Sequence, residues 1–220
     1  MKILLSWSSG KDSAWALHLL NQSHPGCVSA LLTTINDTYD RVAMHGVRSD
    51  IVHAQARAAG VPLRTVLIPE HCSNDIYDAR MRQAVQAAVA DRFTHVAFGD
   101  LFLRDIRQYR EDRMLGTGLT PLFPLWDLPT ATLAGEMIDG GLRARITCVD
   151  TTKTPESFSG RDFDHGFLAD LPSSIDPCGE NGEFHTCVYA GPMFREPLNL
   201  VTGDRERRDP FVWTDLLLQS

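Results

Sequence analysis

The chain has 220 residues and a formal net charge of −7 at pH 7, which argues against a general affinity for nucleic acid or for anionic membrane surfaces. Hydrophobic residues make up 43% and charged residues 22%, a balance typical of a globular protein with a substantial core. No apolar run approaches the ~20 residues that span a bilayer, so we expect no membrane segment.

The start of the chain and its cysteines indicate the cellular compartment in which we expect the protein. Met1 leads directly into an apolar run, so we expect no signal peptide. The sequence has five cysteines and no Cys-x-x-Cys pair. An odd, sparse set of this kind indicates reduced thiols, and we therefore expect a cytoplasmic protein.

The first predicted elements enclose a polar turn over residues 6–13. Residues 2–5 form an apolar run that predicts a buried strand, and the apolar positions after the turn predict a helix. Amides at a helix N-terminus carry partial positive charge, and Lys11, which we expect at the mouth of the turn, adds a full charge. The turn is therefore predicted to bind phosphate. The candidate contacts are Ser6, Ser8, Ser9, Gly10, Lys11, Asp12 and Ser13.

This turn is not the Walker loop. Leu5 and Asp12 stand where that pattern requires a glycine and a Ser or Thr. The three spaced glycines of the dinucleotide fingerprint are absent as well. A different class of phosphate loop is therefore indicated.

A second apolar run over residues 27–34 predicts a strand and completes a strand–helix–strand unit, which favours a parallel sheet. Ligands of such sheets lie at the carboxyl ends of the strands. We therefore predict that Thr33 and Asn36 contact the adenine and ribose of a nucleotide. The alternative is that they are ordinary polar residues at a strand end.

Residues 42–48 lie between two predicted elements and include Met44, His45 and Arg48. An arginine can hold a carboxylate or a phosphate through two parallel hydrogen bonds. His45 and Arg48 are therefore candidates for substrate binding. A structural role is the alternative, because a lone His or Arg before a helix often has one.

The middle of the chain continues the alternation of strands and helices. The pattern predicts a helix over residues 50–59 that ends at Gly60, a residue suited to the left-handed C-terminal position. Asp100 follows the last strand of this region, where it could hold Mg²⁺ through water or cap the next helix. The remaining elements are predicted as strands over residues 63–68 and 94–98 and a helix over residues 74–91.

Residues 103–115 predict a helix with an arginine at every third position. This side of the helix is either a solvated surface or a funnel for an anionic substrate, and Arg107 is the candidate contact. The arginines are Arg104, Arg107, Arg110 and Arg113.

Glycines and prolines after this helix predict a domain boundary, which divides the chain into residues 1–118 and 119–220. In the second, smaller part we predict a helix from Thr130 to Gly140 and a strand over residues 143–149.

A second unusual stretch covers residues 176–186, in which two glycines allow tight left-handed turns. It presents Glu180, Glu183 and His185 just before a predicted strand. These side chains could bind a cationic group, a metal or ammonia, and a plain hairpin loop is the alternative. The spacing of the nearby cysteines and histidine fits no standard zinc site. Asn181, Gly182 and Thr186 are added as candidate substrate contacts.

The two stretches together resemble a known family. Ser8-Ser9-Gly10-Lys11-Asp12-Ser13 is similar to the pyrophosphate loop of ATP pyrophosphatases, although Ser9 replaces a glycine and is expected to narrow the room for phosphate. Together with Gly-Glu-x-Gly-Glu-Phe-His-Thr at residues 179–186, it resembles the diphthine–ammonia ligase family, the ATP-binding domain 4 group. Weaker matches are Met44-His45-Gly46-Val47-Arg48, the Gln55-Ala56 helix, Gly99-Asp100 and Phe123-Pro124-Leu125-Trp126.

The resemblance implies a fold and a reaction. The fold is α/β, a five-stranded parallel sheet flanked by helices (HUP-like, adenine nucleotide α-hydrolase-like), with a smaller C-terminal α+β domain. In the reaction, ATP with Mg²⁺ activates the carboxylate of diphthine on elongation factor 2. Ammonia then forms the amide, and AMP and pyrophosphate leave.

This chemistry suggests a role for each candidate residue. Lys11 would stabilise the leaving pyrophosphate, and Asp12 and Asp100 would hold the metal ion. Glu180 and Glu183 would attract ammonium or a cationic substrate, and His185 would take a proton from ammonia.

Other functions remain open. An ATP pyrophosphatase could act on another small molecule or on RNA, and a regulatory module could bind the nucleotide without turnover. The sequence leaves the oligomeric state open, with a homodimer as one option.

Overall fold

The structure is a computed structural model that describes residues 1–43 and 45–219. Met44, which belongs to one of the weaker family motifs, lies outside the described residues. None of the helices in the described ranges is long and apolar enough to cross a membrane.

A mostly parallel sheet forms the centre of the N-terminal part. Its five parallel strands confirm the expected parallel sheet, and they run in the spatial order β4, β2, β1, β5 and β6. A two-residue strand, β3, pairs antiparallel with the end of β2 and was not predicted. The strands are β1 (Ile3–Ser6), β2 (Val28–Asn36), β3 (Arg41–Val42), β4 (Leu63–Ile68), β5 (His95–Ala97) and β6 (Thr120–Leu122).

The strand order indicates where a ligand-binding crevice lies in this sheet. The chain moves outward from β1 through β2 to β4, then returns to β5 on the other side of β1. Ligands of open parallel sheets bind at such a reversal, beyond the carboxyl ends of the strands. The turn after β1 and Asp100 after β5 therefore face one crevice.

Helices cover both faces of this sheet. Successive side chains of a strand point to opposite faces, so Ile3 and Leu5 join one apolar cluster while Leu4 joins the other. The second helix ends at Gly60 with φ 67°, which confirms the predicted left-handed end. The four helices in this part are α1 (Lys11–Ser23), α2 (Ser49–Ala59), α3 (Asn74–Ala90) and α4 (Arg104–Met114).

The C-terminal part contains an antiparallel sheet in the order β8, β7, β10 and β9. The sequence analysis predicted α5, β7 and part of β8, and it did not predict α6, β9 or β10. In β10 the buried positions alternate along the strand, but its sequence, Phe-Val-Trp-Thr-Asp-Leu-Leu-Leu, does not alternate between apolar and polar residues and so gives no period-two signal. The elements are α5 (Thr130–Asp139), β7 (Arg143–Asp150), α6 (His165–Asp170), β8 (Phe184–Ala190), β9 (Leu200–Arg208) and β10 (Phe211–Leu218).

The predicted boundary at residue 118 precedes a strand of the first sheet, because β6 pairs with β5. We therefore propose a boundary within residues 123–129. The two parts share one apolar cluster, which joins Leu5 and Trp15 to Phe184 and Val212. They consequently pack as one body around the crevice.

Candidate functional site

A cavity of about 210 Å³ lies in this crevice, and we call it the first cavity. Its wall is formed by the turn after β1, the segment after β5 and the loop before β8. The predicted residues in its wall are Ser6, Ser8, Lys11, Asp12, Ser13, His45, Asp100, Glu180, Gly182, His185 and Thr186. The predicted residues outside its wall are Ser9, Gly10, Thr33, Asn36, Arg48, Arg107, Asn181 and Glu183.

The turn over residues 6–13, the phosphate loop, contains several short-range hydrogen bonds. The Ser8 amide donates to Ser13 Oγ at 3.3 Å, and Ser13 Oγ donates to the Gly10 carbonyl at 3.0 Å. Ser9 has φ 72°, the left-handed region that costs a non-glycine residue roughly 1–2 kcal/mol. Its side chain is buried outside the cavity wall, so replacing glycine adds strain and does not narrow the cavity, contrary to our expectation.

Lys11 is 2% exposed and sits between the phosphate loop and the loop before β8, so its predicted position at the mouth is wrong. Its Nζ donates to Asp12 Oδ2 at 2.9 Å and to the carbonyl oxygen of Cys178. The ring of Phe184 lies 5.4 Å away. Burial lowers the pKa of Lys11, but the charge and hydrogen bond of Asp12, together with Cys178 and Glu180, outweigh it, and the pKa lies above its ordinary value. The ammonium is therefore charged at neutral pH.

Asp12 and Asp100 offer carboxylate oxygens to the first cavity. Asp12 Oδ1 is buried and has no hydrogen-bond partner among the described residues. The described residues contain no group of three His, Cys, Asp or Glu that could hold a metal by itself. Mg²⁺, however, commonly uses one or two protein carboxylates together with substrate phosphates. The two aspartates therefore fit an ion that arrives with a triphosphate.

Arg110, rather than the predicted Arg107, reaches the first cavity. Its Nε donates to Asp100 Oδ2 at 3.4 Å, a long hydrogen bond. The Arg107 guanidinium instead lies 4.8 and 4.7 Å from the rings of Phe123 and Trp126. The repeat of three residues identified the helix side, but it did not identify which arginine faces the cavity.

Glu180 is the glutamate of the second stretch that reaches the cavity. Its Oε1 accepts a hydrogen bond from the Leu101 amide at 2.8 Å. Burial raises the pKa of Glu180 to about 7, and the carboxylates of Asp12 and Asp100 add to this effect. The Leu101 amide and Lys11 act in the opposite direction. Glu180 can therefore gain or lose a proton near neutral pH.

Glu183 lies inside the loop and is 3% exposed. Its Oε1 accepts hydrogen bonds from the Asp176 amide at 3.3 Å and from Asn181 Nδ2 at 3.2 Å. Its Oε2 is buried with no partner among the described residues. The structure thus gives Glu183 and Asn181 contacts that shape the loop.

His45 and His185 pack together at one end of the first cavity, with ring centroids 4.5 Å apart. Burial and the charge of Lys11 lower the pKa of His185 to about 4. Burial also lowers the pKa of His45 well below its usual range, and the neighbouring His185 lowers it further. Both imidazoles are therefore neutral near pH 7, and His185 is a weaker base than Glu180.

Thr186 connects the C-terminal part to the phosphate loop. The first helix begins after Gly10, which has no side chain to cap it. The Thr186 hydroxyl accepts a hydrogen bond from the Lys11 amide at 3.0 Å and supplies the missing cap. Gly182 lines the same wall with φ 78°.

A second cavity of about 610 Å³ adjoins the first across the histidine pair. Asn36 lines it, and Asn36 Oδ1 accepts hydrogen bonds from the amides of Thr38 and Tyr39, both at 3.0 Å. Thr33 is 2% exposed and lines neither cavity. Of the two predicted nucleoside contacts, only Asn36 borders a space large enough for a ligand.

Arg48 lines the second cavity but already holds a carboxylate of the protein. It donates to Asp215 Oδ2 from Nε at 3.0 Å and from a terminal nitrogen at 2.6 Å. Burial raises the pKa of Asp215, but hydrogen bonds from Arg41 and Arg48 outweigh it and lower the pKa to about 2. Arg48 therefore holds a carboxylate through two hydrogen bonds, as predicted, but that carboxylate belongs to Asp215 of the same chain, 167 residues away.

A third space, the α3–α4 groove, has a volume of about 290 Å³. It shares Phe98 and Arg110 with the first cavity, and its other walls include the apolar side chains of Tyr77, Met81 and Val85. A ligand in this groove would therefore meet the Arg110 guanidinium at its inner end.

Comparison with protein families gives two matches. The model of the diphthamide synthase N-terminal domain matches residues 1–112, and that of the diphthamide synthase C-terminal domain matches residues 129–215. A comparison with curated proteins gives no match. The family matches cover most of the chain and confirm the resemblance seen in the two sequence stretches.

Proposed function

The chain belongs to the diphthamide synthase family, and we propose that it is an ATP-dependent ligase. In this proposal it joins a substrate carboxylate to AMP in the first cavity and then converts the acyl group to an amide with ammonia. AMP and pyrophosphate are the other products. The family name suggests diphthine on elongation factor 2 as the acceptor.

One observation carries the proposal. The phosphate loop with Lys11, the carboxylate pair Asp12 and Asp100, the arginine Arg110 and the titratable Glu180 all line the same 210 Å³ cavity. A positive loop suits phosphate, whereas a carboxyl group with a pKa near 7 suits proton transfer. The combination fits a site that uses a nucleotide and also handles a proton.

The activation step needs a good leaving group. The acceptor carboxylate attacks the α-phosphorus of ATP, and the bond to the β-phosphate oxygen breaks. Lys11 and the amides at the start of α1 would stabilise the negative charge on the departing pyrophosphate. Mg²⁺, when bound by Asp12 and Asp100, would neutralise part of that charge.

We assign the nucleoside to the second cavity, which Asn36 borders and which meets the first cavity at the histidine pair. The first cavity alone is small for a nucleotide, so the adenosine needs a neighbouring space. In this arrangement His45 and His185 flank the link between triphosphate and ribose. Their neutral rings can donate or accept hydrogen bonds without adding charge.

The amidation step needs a proton acceptor. Ammonia attacks the acyl carbon, AMP leaves, and the extra proton on nitrogen must be taken up. Glu180 is the better base, because its pKa of about 7 lies nearer the working pH than the value of about 4 for His185. We therefore move this role from His185 to Glu180. The neighbouring carboxylates would also attract ammonium.

The acceptor carboxylate must approach a triphosphate of the same charge sign. Arg110 can offset this repulsion, since within the described residues the one carboxylate it contacts is that of Asp100, through a long hydrogen bond. We propose that Arg110 holds the acceptor carboxylate and that the acceptor enters along the α3–α4 groove. This replaces the role predicted for Arg107.

The products of ATP turnover test the proposal. With ATP, Mg²⁺, ammonium chloride and diphthine-bearing elongation factor 2, we expect AMP, pyrophosphate and the amide. Formation of ADP and phosphate alone would refute it. AMP and pyrophosphate formed without amide would keep the ATP chemistry and require another acceptor.

A matched pair of variants tests the acceptor route. Arg110→Gln should raise the KM for the acceptor about tenfold, the usual effect of losing one charge-assisted hydrogen bond. Arg107→Gln, one turn away and stacked on aromatic rings, should leave that KM unchanged. Equal effects of the two variants would contradict the assignment.

A further inference from the structure

A buried glutamine connects the phosphate loop to two other parts of the chain. Gln55 lies on α2 and is 0% exposed. Its Oε1 accepts a hydrogen bond from Trp7 Nε1 at 2.9 Å. Its Nε2 donates to the carbonyl oxygens of Ser9 at 3.1 Å and Val188 at 2.7 Å. One side chain thus joins α2, two residues of the phosphate loop and β8.

Only an amide of this length satisfies these three partners. The Trp7 indole can only donate a hydrogen bond, and the two carbonyl oxygens can only accept. The site therefore requires one acceptor and two donors on the same group. Glutamate lacks the donors when ionised, and leucine lacks both kinds of group.

The contact falls on the strained residue of the loop. Ser9 has φ 72°, and its carbonyl oxygen accepts from Gln55 Nε2 and from the Val188 amide, the latter at 3.0 Å. Such a backbone conformation persists only where its surroundings fix it. The neighbouring amides of the loop take their direction from this peptide.

We infer that Gln55 is a positioning residue for the phosphate loop, and this inference rests on the proposed function. Its amide fixes the Ser9 carbonyl against β8, so that the loop keeps the shape that receives a triphosphate. Gln55 is outside the wall of the first cavity and acts through the loop. Its loss should therefore weaken nucleotide binding without removing any group that contacts the nucleotide.

The experiment measures binding of α,β-methylene-ATP with Mg²⁺ by calorimetry, because this analogue cannot be split between its α- and β-phosphates. Gln55→Leu leaves two buried carbonyls with fewer donors, and we expect its Kd to rise about tenfold. Val52→Ala, one turn earlier on α2 and also fully buried, serves as the control. It should lower the thermal midpoint while leaving the Kd unchanged.

Gln55→Glu adds a readout that a purely structural role would not give. Burial raises the pKa of a carboxyl group by up to about 3–5 units, and its protonated form can still donate one hydrogen bond to a carbonyl. The ratio of its Kd to that of the wild type should therefore be smallest at low pH, where it should lie below the ratio for Gln55→Leu. The ratio should increase as the pH rises through the new pKa, whereas Gln55→Leu should give a constant ratio.

The outcomes separate the two proposals. If the wild-type protein does not bind the analogue, the proposed function fails first. If the wild type binds and the Gln55 variants bind equally well at every pH, the positioning role is overturned. A rise in Kd for Val52→Ala as large as that for Gln55→Leu would overturn it as well, because general destabilisation would then explain both.

Discussion

The two loops that face each other across the first cavity are held in opposite ways. In the phosphate loop, Ser8 and Ser13 in the cavity wall bond to each other, while Ser9 outside the wall bonds to the distant Gln55 and Val188. In the loop over residues 176–186, here the glutamate loop, Glu180 in the wall bonds to the distant Leu101 amide, while Glu183 outside the wall bonds to Asp176 and Asn181 nearby. The two serines that face the cavity thus have local partners, whereas the glutamate that faces it has a distant one.

The difference agrees with separate proposed roles for the two loops. In our proposal the phosphate loop binds phosphate, which needs only backbone amides and one positive charge. The glutamate loop contributes Glu180, whose pKa is raised mainly by burial and further by the carboxylates of Asp12 and Asp100 from two other segments. Each of the following predictions changes one contact within or between the loops.

The largest effect is expected from Lys11, which contacts both loops. Lys11→Ala should lower the rate of AMP formation about 100- to 1000-fold, because an electrostatic contact to the leaving pyrophosphate is lost. It should also destabilise the protein by roughly 2 kcal/mol, because the partly buried Asp12 loses its partner charge. Rates and thermal midpoints measured together test both effects.

The double variant Lys11→Ala/Asp12→Asn separates the effect on the rate from the effect on stability. The double variant should recover part of the lost stability, since the unpaired charge is gone, and it should recover none of the rate. Near-normal turnover in either variant would remove Lys11 from the catalytic residues.

The next effect concerns Glu180 and the pH profile. At a constant concentration of free ammonia, the rate of amide formation in the wild type should rise as the pH passes about 7, because the base must be deprotonated. Glu180→Gln should lower this rate about 100-fold, leave the affinity for α,β-methylene-ATP unchanged and abolish the rise. A rise that persists in the variant would assign the base to another group.

The same shift has a consequence for stability. The pKa of Glu180 is raised on folding, so the folded protein binds more protons than the unfolded chain between about pH 4.5 and 7. The contribution of this group to stability is therefore present at low pH and is lost as the pH rises through 7. Thermal midpoints of Glu180→Gln should decline less over this range than those of the wild type.

A smaller effect is expected where the glutamate loop caps the helix of the phosphate loop. Thr186→Val keeps the shape but removes the acceptor for the Lys11 amide, and it should cost about 1 kcal/mol of stability. Thr147→Val is the matched control, because its buried hydroxyl has no partner among the described residues. Chemical denaturation of both variants checks the prediction, and an equal loss in both would contradict the capping role.

The smallest effect is expected from Glu183→Gln. The amide oxygen can replace Oε1 toward Asp176 and Asn181, and the charge at the unpartnered Oε2 disappears. We therefore expect rates within about twofold of the wild type, in contrast to Glu180→Gln. A loss of amide formation with intact ATP affinity would instead restore the catalytic role predicted from the sequence.

The sequence alone located the phosphate loop, the parallel sheet and the helices, because these features depend on short-range patterns. Apolar periodicity predicts strands and helices, and a Gly-Lys turn between them predicts where the helix N-terminus is exposed. Gly60 ends α2 as predicted, because a left-handed helix end favours glycine at that position. The glutamate loop was also identified, since its glycines and carboxylates are adjacent in the chain.

Only the tertiary structure decided which of these side chains meet. Glu180 and Glu183 are three residues apart, yet one faces the cavity and the other supports the loop, because the backbone between them turns at Gly182. Arg110, and not Arg107, lines the first cavity, because the packing of α4 against the sheet sets which side of that helix faces the cavity. Arg48 pairs with Asp215, 167 residues away, and such a contact leaves no local pattern. Local propensity depends on neighbours in sequence, whereas charge pairing and burial depend on neighbours in space.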